Sequence, residues 1–173
     1  KKTQTNLDND VILVTLGQLD KKNFGSQLTS VYQNYEKALE IICHTLKKIK
    51  NKQKIIKLHP GDMVWKSVTV EPIIRSIDPT IEIIVEGDLK KIIQSANLVI
   101  TVGLTTVLLE ANIFEKPTMT ILPDPQELFS ASSSGHSKIF TVDERDKFEN
   151  YFDSIMQNKN NAVEKSILQG NDF

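Results

Sequence analysis

The sequence predicts an α/β fold built on a doubly wound, mostly parallel sheet of six strands with helices on both faces. Apolar runs alternate with helical segments along almost the whole chain, and such alternation is typical of a parallel sheet with crossover helices. Several of these runs, such as residues 11–16, are apolar almost throughout, which indicates strands that are buried on both faces. Together these observations favour a Rossmann-like domain.

The predicted elements follow one another in regular order. Strands are expected at residues 11–16, 54–58, 81–85, 98–101, 117–122 and 138–142. Helices are expected at 30–50, at 63–77 with a break near Pro72, at 88–95 with Asp88 as its cap, at 105–114, at 126–134, at 143–157 with Asp143 as its cap, and at 161–168. Residues 1–10 are polar and are expected to be a frayed lead-in. Residues 11–173 then form one domain.

Composition excludes several classes of protein. The chain has 173 residues, of which 39% are hydrophobic and 25% charged, as in an ordinary globular domain. A net charge of −1 provides no field that would attract nucleic acid or an anionic membrane. The single cysteine, Cys43, cannot form an internal disulfide or a multi-cysteine metal site, and we expect it in the core. No apolar run reaches the ~20 residues of a membrane span. We therefore expect a cytoplasmic protein without metal or cofactor.

Familiar catalytic motifs are missing. The loop at residues 17–25 lacks the G-x-G-x-x-G pattern, which argues against NAD or FAD binding. The chain also lacks a Walker motif and a G-x-S-x-G nucleophile elbow. His44 and His136 have no evident acidic partner in the sequence, and we interpret both as structural or surface residues.

The segment at residues 94–122 places chemistry beside a buried strand. Gly103 follows the fourth predicted strand, and Thr105 and Thr106 then begin a helix. Free backbone N–H groups and the positive end of the helix dipole suit a phosphate at such a place. The two threonines therefore either cap the helix or bind phosphate. Glu110, further along this helix, is either a ribose ligand or a solvated residue.

A second candidate loop follows the second strand. His59, Pro60 and Gly61 lie at the edge of the sheet where ligands bind in this fold, together with Gly17 after the first strand. A histidine there can donate a hydrogen bond to a phosphate oxygen or protonate a departing phosphate. The alternative is that His59 ends the strand and hydrogen-bonds a neighbouring carbonyl.

These motifs resemble a known family in their order and spacing. The segments are VILVTLG, KLHPGD, DLKKIIQSANLVITVGLTTVLLEANIFEKPTMTIL and the DPQELF stretch that precedes Ser-Gly. They resemble the C-terminal, donor-binding half of glycosyltransferases with the GT-B fold. The His-Pro pair and the hydroxyl pair are similar to those of bacterial polysialyltransferases, capsule transferases and CDP-glycerol polymerases. The layout also resembles UDP-N-acetylglucosamine 2-epimerases and the MurG type of N-acetylglucosaminyltransferase.

The resemblance implies roles for individual residues. His59, Thr105 and Thr106 would hold the donor phosphates, with Glu110 on the ribose and Gln126 facing the transferred sugar. Two positions depart from the usual pattern. Threonines stand where serines are more usual, and Asn97 replaces an acidic residue before the fourth strand, which we interpret as a surface difference.

The resemblance also implies an incomplete enzyme. A GT-B enzyme needs a second, N-terminal domain that binds acceptor and usually supplies the catalytic base, and the chain begins at Lys1. We therefore expect the nucleotide-sugar-binding half of a longer glycosyltransferase of surface polysaccharide or glycan synthesis, inactive alone. Its donor would be UDP-, CDP- or CMP-linked, and the full-length protein would lie at the inner membrane face at most peripherally. The alternatives are a UDP-N-acetylglucosamine 2-epimerase-like domain and a non-catalytic module that binds the other subunit of a split transferase.

Overall fold

A computed structural model describes residues 10–17, 28–59, 70–124 and 137–169, with residues 28–30 and 158–169 described by their backbone alone. These residues form an α/β fold around one six-stranded sheet. Every neighbouring pair of strands is parallel, and the strand order is β3-β2-β1-β4-β5-β6. The predicted Rossmann-like sheet is confirmed.

The strands and helices have the following bounds. The strands are β1 Val11–Leu16, β2 Gln53–Lys57, β3 Glu82–Ile84, β4 Ala96–Val102, β5 Thr118–Leu122 and β6 Lys138–Thr141. The helices are α1 Leu28–Lys47, α2 Glu71–Ile77, α3 Leu89–Ser95, α4 Val107–Ile113 and α5 Arg145–Gln169. The helices predicted at 126–134 and in the first part of 63–77 lie outside the described residues.

The sheet is doubly wound because successive residues of β1 face opposite helix layers. Ile12 and Val14 belong to one apolar cluster with residues of α1, α2 and α5. Val11 and Leu13 belong to a second cluster with residues of α3 and α4. Cys43 is fully buried in the first cluster, where burial raises the pKa of its thiol to about 12. It is therefore a core residue, as predicted.

The C-terminal helix corrects one prediction. A single helix runs over Arg145–Gln169, where two helices at 143–157 and 161–168 were expected. The segment between the two expected helices is rich in asparagine, but asparagine costs only ~0.7 kcal/mol relative to alanine inside a helix, so the helix can continue through it. The predicted cap at Asp143 is also wrong by one residue. Phe148 donates its N–H to the carbonyl of Glu144 at 3.0 Å, so the first helical hydrogen bond closes on Glu144.

The chain around Asp10 is more ordered than the sequence predicted. The Asp10 carboxylate accepts hydrogen bonds from Lys52 and from the Asn97 amide, the latter at 2.6 Å. Its carbonyl accepts the N–H of Gln53 at 3.1 Å. Asn97 is therefore half-buried and engaged in the fold, and β4 begins two residues before its predicted start at residue 98. The interpretation of Asn97 as a surface difference was wrong.

Of two local predictions about helix starts, one is confirmed. Asp88 caps α3, since its carboxylate accepts the N–H of Lys91 at 3.3 Å. Pro72 lies in the first turn of α2, where a missing N–H breaks no helical hydrogen bond. The residues before Val70 lie outside the described part of the chain, so the break expected near Pro72 stays a prediction.

A buried ion pair lies at the opposite edge of the sheet from the carboxyl ends of the strands. Lys54 near the start of β2 donates to Asp78 at 2.6 Å, and both side chains are less than a tenth exposed. Thr80 also donates to Asp78, through its N–H at 3.0 Å and its hydroxyl at 2.6 Å. Burial raises the pKa of the Asp78 carboxyl, but the hydrogen bonds from Lys54 and Thr80 outweigh it and leave the pKa below its usual value.

Replacement of Asp78 by alanine is expected to lower the free energy of unfolding by about 3–5 kcal/mol, because it leaves the Lys54 ammonium buried without its partner. Urea unfolding at pH 7 measures this. The control is Lys48→Ala, which removes a pair whose lysine is half exposed and should cost under ~1 kcal/mol.

The contribution of Asp78 should also depend on pH. Because the folded-state pKa of Asp78 is lowered, the ionised carboxylate stabilises the fold fully above its unfolded-state pKa of ~3.9. The difference in free energy of unfolding between wild type and Asp78→Ala should therefore become smaller as the pH falls through the folded-state pKa of Asp78. If Asp78→Ala lost no more free energy of unfolding at pH 7 than Lys48→Ala, the buried pair would not stabilise the fold as we expect.

Candidate functional site

The strand order reverses between β1 and β4, which are neighbours at the centre of the sheet. The helix after β1 packs on one face of the sheet and the helix after β4 on the other. The connections therefore diverge above the carboxyl ends of these strands, and a crevice opens between them. Ligands of open α/β sheets bind at such a point.

A cavity of about 350 Å³ occupies this crevice. It is lined by residues from the ends of β1 and β2, from the connection after β4 and from the start of α3: Thr15, Leu16, Gly17, Lys57, Leu58, His59, Leu89, Leu104, Thr105, Thr106 and Val107. Four of the predicted site residues, Gly17, His59, Thr105 and Thr106, thus lie around one cavity. We call this space the edge cavity.

Gly17 lets the ends of β1 and β4 approach closely. Its N–H donates to the carbonyl of Val102 at 3.0 Å. A Cβ at this position would lie 2.8 Å from that same carbonyl oxygen and 3.3 Å from Cγ2 of Thr105. Tyr35 of α1 donates its hydroxyl to the Gly17 carbonyl at 3.5 Å. A residue without a side chain is therefore needed at position 17 for the ends of β1 and β4 to lie this close together beside the cavity.

Gly103 makes the turn that follows β4. Its φ of 77° lies in the left-handed region, which glycine adopts without steric cost. The turn is fixed by the Gly103 N–H, which donates to the Ile121 carbonyl at 2.8 Å, and by the Thr101 hydroxyl, which donates to the Gly103 carbonyl at 3.1 Å. Gly103 is not among the described lining residues. Its effect is to direct Leu104 to Thr106 toward the cavity.

Thr105 and Thr106 do not satisfy the helix start with their side chains. Thr106 precedes α4, but its hydroxyl makes no capping hydrogen bond. The first turn closes when the Leu108 N–H donates to the Thr105 carbonyl at 3.2 Å, so earlier N–H groups have no partner within the helix. The Thr105 hydroxyl is buried and has no hydrogen-bond partner among the described residues. The side-chain capping alternative is thus not what the structure contains.

The other predicted residues are placed as follows. His59 is exposed and lines the edge cavity directly after β2. Glu110 is half-buried on α4 and is not among the described lining residues, so its contact with a ribose stays a prediction. Pro60, Gly61 and Gln126 lie outside the described residues.

His44 and His136 played no part in the predicted site. His44 lies exposed in the last turn of α1, as expected of a surface residue. His136 falls outside the residues that the structure describes.

Two polar lining residues were missed from the sequence. Thr15 and Lys57 lie near the ends of β1 and β2, are in register with each other and are almost fully buried. A polar residue near the carboxyl end of an otherwise apolar strand was the available signal, since that end faces the binding edge. Burial lowers the pKa of the Lys57 ammonium, and nearby Glu86 opposes this change.

A second cavity, of about 410 Å³, lies at the opposite edge, around the buried Lys54–Asp78 pair. Four lysines line it, at positions 47, 50, 52 and 54, and Asp78 already accepts three hydrogen bonds. It lies away from all the predicted site residues. In the described part of the chain, no group of three or more histidine, cysteine or acidic residues could hold a metal ion. None of the described helices is long and apolar enough to cross a membrane.

Comparison with known proteins identifies the fold type. No protein-family model matches the sequence, and no curated protein is significantly similar to it. Among solved structures, a protein assigned as a UDP-N-acetylglucosamine 2-epimerase from Listeria monocytogenes is similar, with a TM-score of 0.56 and 15% identity over 88% of this chain. The spinosyn rhamnosyltransferase SpnG is similar with a TM-score of 0.52 and 10% identity over 86% of this chain.

The likeness extends over only part of each neighbour. This chain spans 38% of the epimerase chain and 37% of the rhamnosyltransferase chain. At these identities the comparison concerns the fold. The chain has a Rossmann-like fold of the GT-B type.

Replacement of Gly17 by alanine is expected to lower the free energy of unfolding by about 1–3 kcal/mol, because the new methyl group overlaps a backbone carbonyl that cannot rotate away. Urea unfolding measures this loss. Thr106→Ala is the matched control in the facing loop. Its hydroxyl is exposed and makes no capping hydrogen bond, so it should change stability by no more than ~0.5 kcal/mol. Equal effects of the two variants would refute the close-approach argument.

Proposed function

We propose that this chain is the nucleotide-sugar-binding domain of a glycosyltransferase. The observation that carries the proposal is the edge cavity. Loops from β1, β2 and β4 meet there, with a buried Thr105 hydroxyl that has no partner among the described residues. Unpaired donors beside a glycine-shaped turn suit the oxygens of a diphosphate. The fold shared with SpnG and the Listeria protein supports the proposal.

In this proposal the diphosphate of the donor binds between the two loops. The hydroxyls of Thr105 and Thr106 and the N–H groups that precede Leu108 donate to its oxygens from one side. His59 donates from the other. Glu110 contacts the ribose, and Gln126 faces the sugar. Gly17 keeps the loops close enough for one ligand to touch both.

The proposed reaction breaks the bond between the anomeric carbon of the sugar and the diphosphate oxygen. The bonding electrons remain with the diphosphate, and a new bond forms between the carbon and an acceptor oxygen. Donors aimed at the leaving diphosphate stabilise the charge that develops there. In this proposal His59 protonates the diphosphate as it departs. The base that takes the acceptor proton would belong to a further domain, so this chain alone is expected to bind donor and not to turn it over.

The wider setting is part of the same proposal. Transfer from a UDP- or CDP-linked sugar, or from a CMP-linked sugar whose single phosphate would occupy the same site and leave in place of the diphosphate, would serve the synthesis of a surface polysaccharide or glycan on the cytoplasmic side of the membrane. The acceptor domain would precede this one in a longer chain or belong to a separate subunit. That the chain spans little over a third of its structural neighbours supports this division.

A second candidate is an epimerase that acts on a UDP-linked sugar. The fold shared with the Listeria protein assigned to that activity favours it. Both functions use the same diphosphate site. A full-length protein that interconverts UDP-N-acetylglucosamine and its 2-epimer without an acceptor would identify the epimerase.

The chain is expected to bind UDP or CDP, and to bind uridine or cytidine more weakly because the nucleosides lack phosphate. Thr105→Val should weaken diphosphate binding at least about tenfold, since a hydrogen bond to a charged group contributes about 1.5–3 kcal/mol. Isothermal titration calorimetry with UDP, CDP, CMP and the two nucleosides measures both effects. The folded chain binding none of the nucleotides would contradict the proposed function.

Thr105→Val carries its own structural control. The wild-type hydroxyl is buried without a partner among the described residues. Its replacement by a methyl group of similar volume should therefore leave the stability of the unliganded chain unchanged or raised. The contrary result is that Thr105→Val lowers the free energy of unfolding of the unliganded chain by as much as it lowers the free energy of nucleotide binding. Thr105 would then act on the fold and not on the ligand.

A further inference from the structure

Lys57 is a buried cation without a buried counter-charge. It is the last residue of β2 and is 9% exposed. Its ammonium donates to the carbonyl of Val85 and, at 3.5 Å, to that of Leu58. No described carboxylate lies within ion-pair distance of it. A charge that is removed from water without an opposite charge is costly unless a ligand supplies that charge.

Thr15 lies beside Lys57 and has an unused hydroxyl. The two residues are register partners on β1 and β2, so their side chains leave the same face of the sheet. Thr15 is 4% exposed, and its hydroxyl has no hydrogen-bond partner among the described residues. By contrast Thr101, its register partner on β4, bonds to Gly103 and to Thr120.

Both side chains line the edge cavity. Among the described lining residues, Lys57 is the single lysine or arginine. The loops offer a phosphate neutral hydroxyls, backbone N–H groups and an imidazole. A diphosphate carries several negative charges, and a site that excludes water around it needs a positive charge to match.

We propose that Lys57 and Thr15 form the floor of the phosphate site, where the Lys57 ammonium provides the charge and the Thr15 hydroxyl a further donor. This rests on the proposed function, because it assigns two more residues to the same ligand. In the structure the ammonium donates to the carbonyls of Val85 and Leu58. When an anion binds, the ammonium exchanges at least one of these bonds for a shorter, charge-assisted bond to a phosphate oxygen.

The test measures the affinity of the wild-type chain and of Lys57→Met and Thr15→Val for UDP, inorganic pyrophosphate and uridine. Lys57→Met should weaken UDP and pyrophosphate binding by at least about tenfold and leave uridine binding unchanged. Thr15→Val should weaken the two phosphate ligands by a smaller factor. The control is Lys91→Met, which removes an equal charge from a side chain that is 75% exposed on α3, the helix whose first residue lines the cavity. It should leave all affinities unchanged.

A second measurement separates ligand binding from a structural role. The titration of Lys57 is followed by NMR of its ε-methylene group with and without pyrophosphate. Contact with an anion should raise the pKa of Lys57. If Lys57 only donates a structural hydrogen bond to the carbonyl of Val85, its pKa should be the same with and without pyrophosphate. This observation needs no variant, so it stands even if Lys57→Met fails to fold.

The outcomes distinguish the two proposals. Wild-type binding of UDP with equal affinity in Lys57→Met overturns this inference and leaves the proposed function standing. A wild type that binds pyrophosphate in a Lys57-dependent manner but no nucleotide upholds the inference and contradicts the proposed function. A folded Thr15→Val variant with unchanged affinities, together with an unchanged Lys57 titration, overturns the inference.

Discussion

The pairing of β1 with β4 is the constraint on which the rest of the structure depends. These two strands lie at the centre of the sheet, and the helices that follow them pack on opposite faces. That divergence opens the edge cavity. The hydrogen bond from Gly17 to Val102 then holds the two strand ends together beneath it. Without so close an approach, the donors after β4 and the residues at the end of β2 would not surround a single space.

Helix α1 extends this constraint to the remaining loops. Tyr35 donates to the carbonyl of Gly17, and the neighbouring Asn34 donates to the carbonyl of Pro123 at 2.9 Å. Adjacent residues of one helix thus hold the connection after β1 and the connection after β5. Leu39 and Ile42 anchor the same helix in the core. The core therefore determines where the binding edge lies, through two hydrogen bonds at its boundary.

The strands and their parallel arrangement could be predicted because burial on both faces leaves an apolar pattern that few other structures produce. Helix bounds were less predictable where polar residues made contacts invisible in a sequence. Asn97 lies within β4, and its amide donates to Asp10, which is far away in the chain. At the site, the glycines and hydroxyls of the loops were found from their local pattern. Lys57 and Thr15 were missed because strand register, a property of two chain segments, makes them neighbours.

The buried pair of Lys54 and Asp78 lies at the edge of the sheet opposite the edge cavity. Lys54 and Lys57 are only three residues apart on β2 and lie at opposite rims of one sheet. Lys54 is paired with a buried carboxylate, whereas Lys57 has no described carboxylate within ion-pair distance. The scaffold could therefore be stabilised at the edge around Lys54 and Asp78, even by exchanging the ion pair for apolar side chains. The residues around the edge cavity would then remain free to change. Such separation lets the residues around the edge cavity change without a matching loss of stability at the opposite edge.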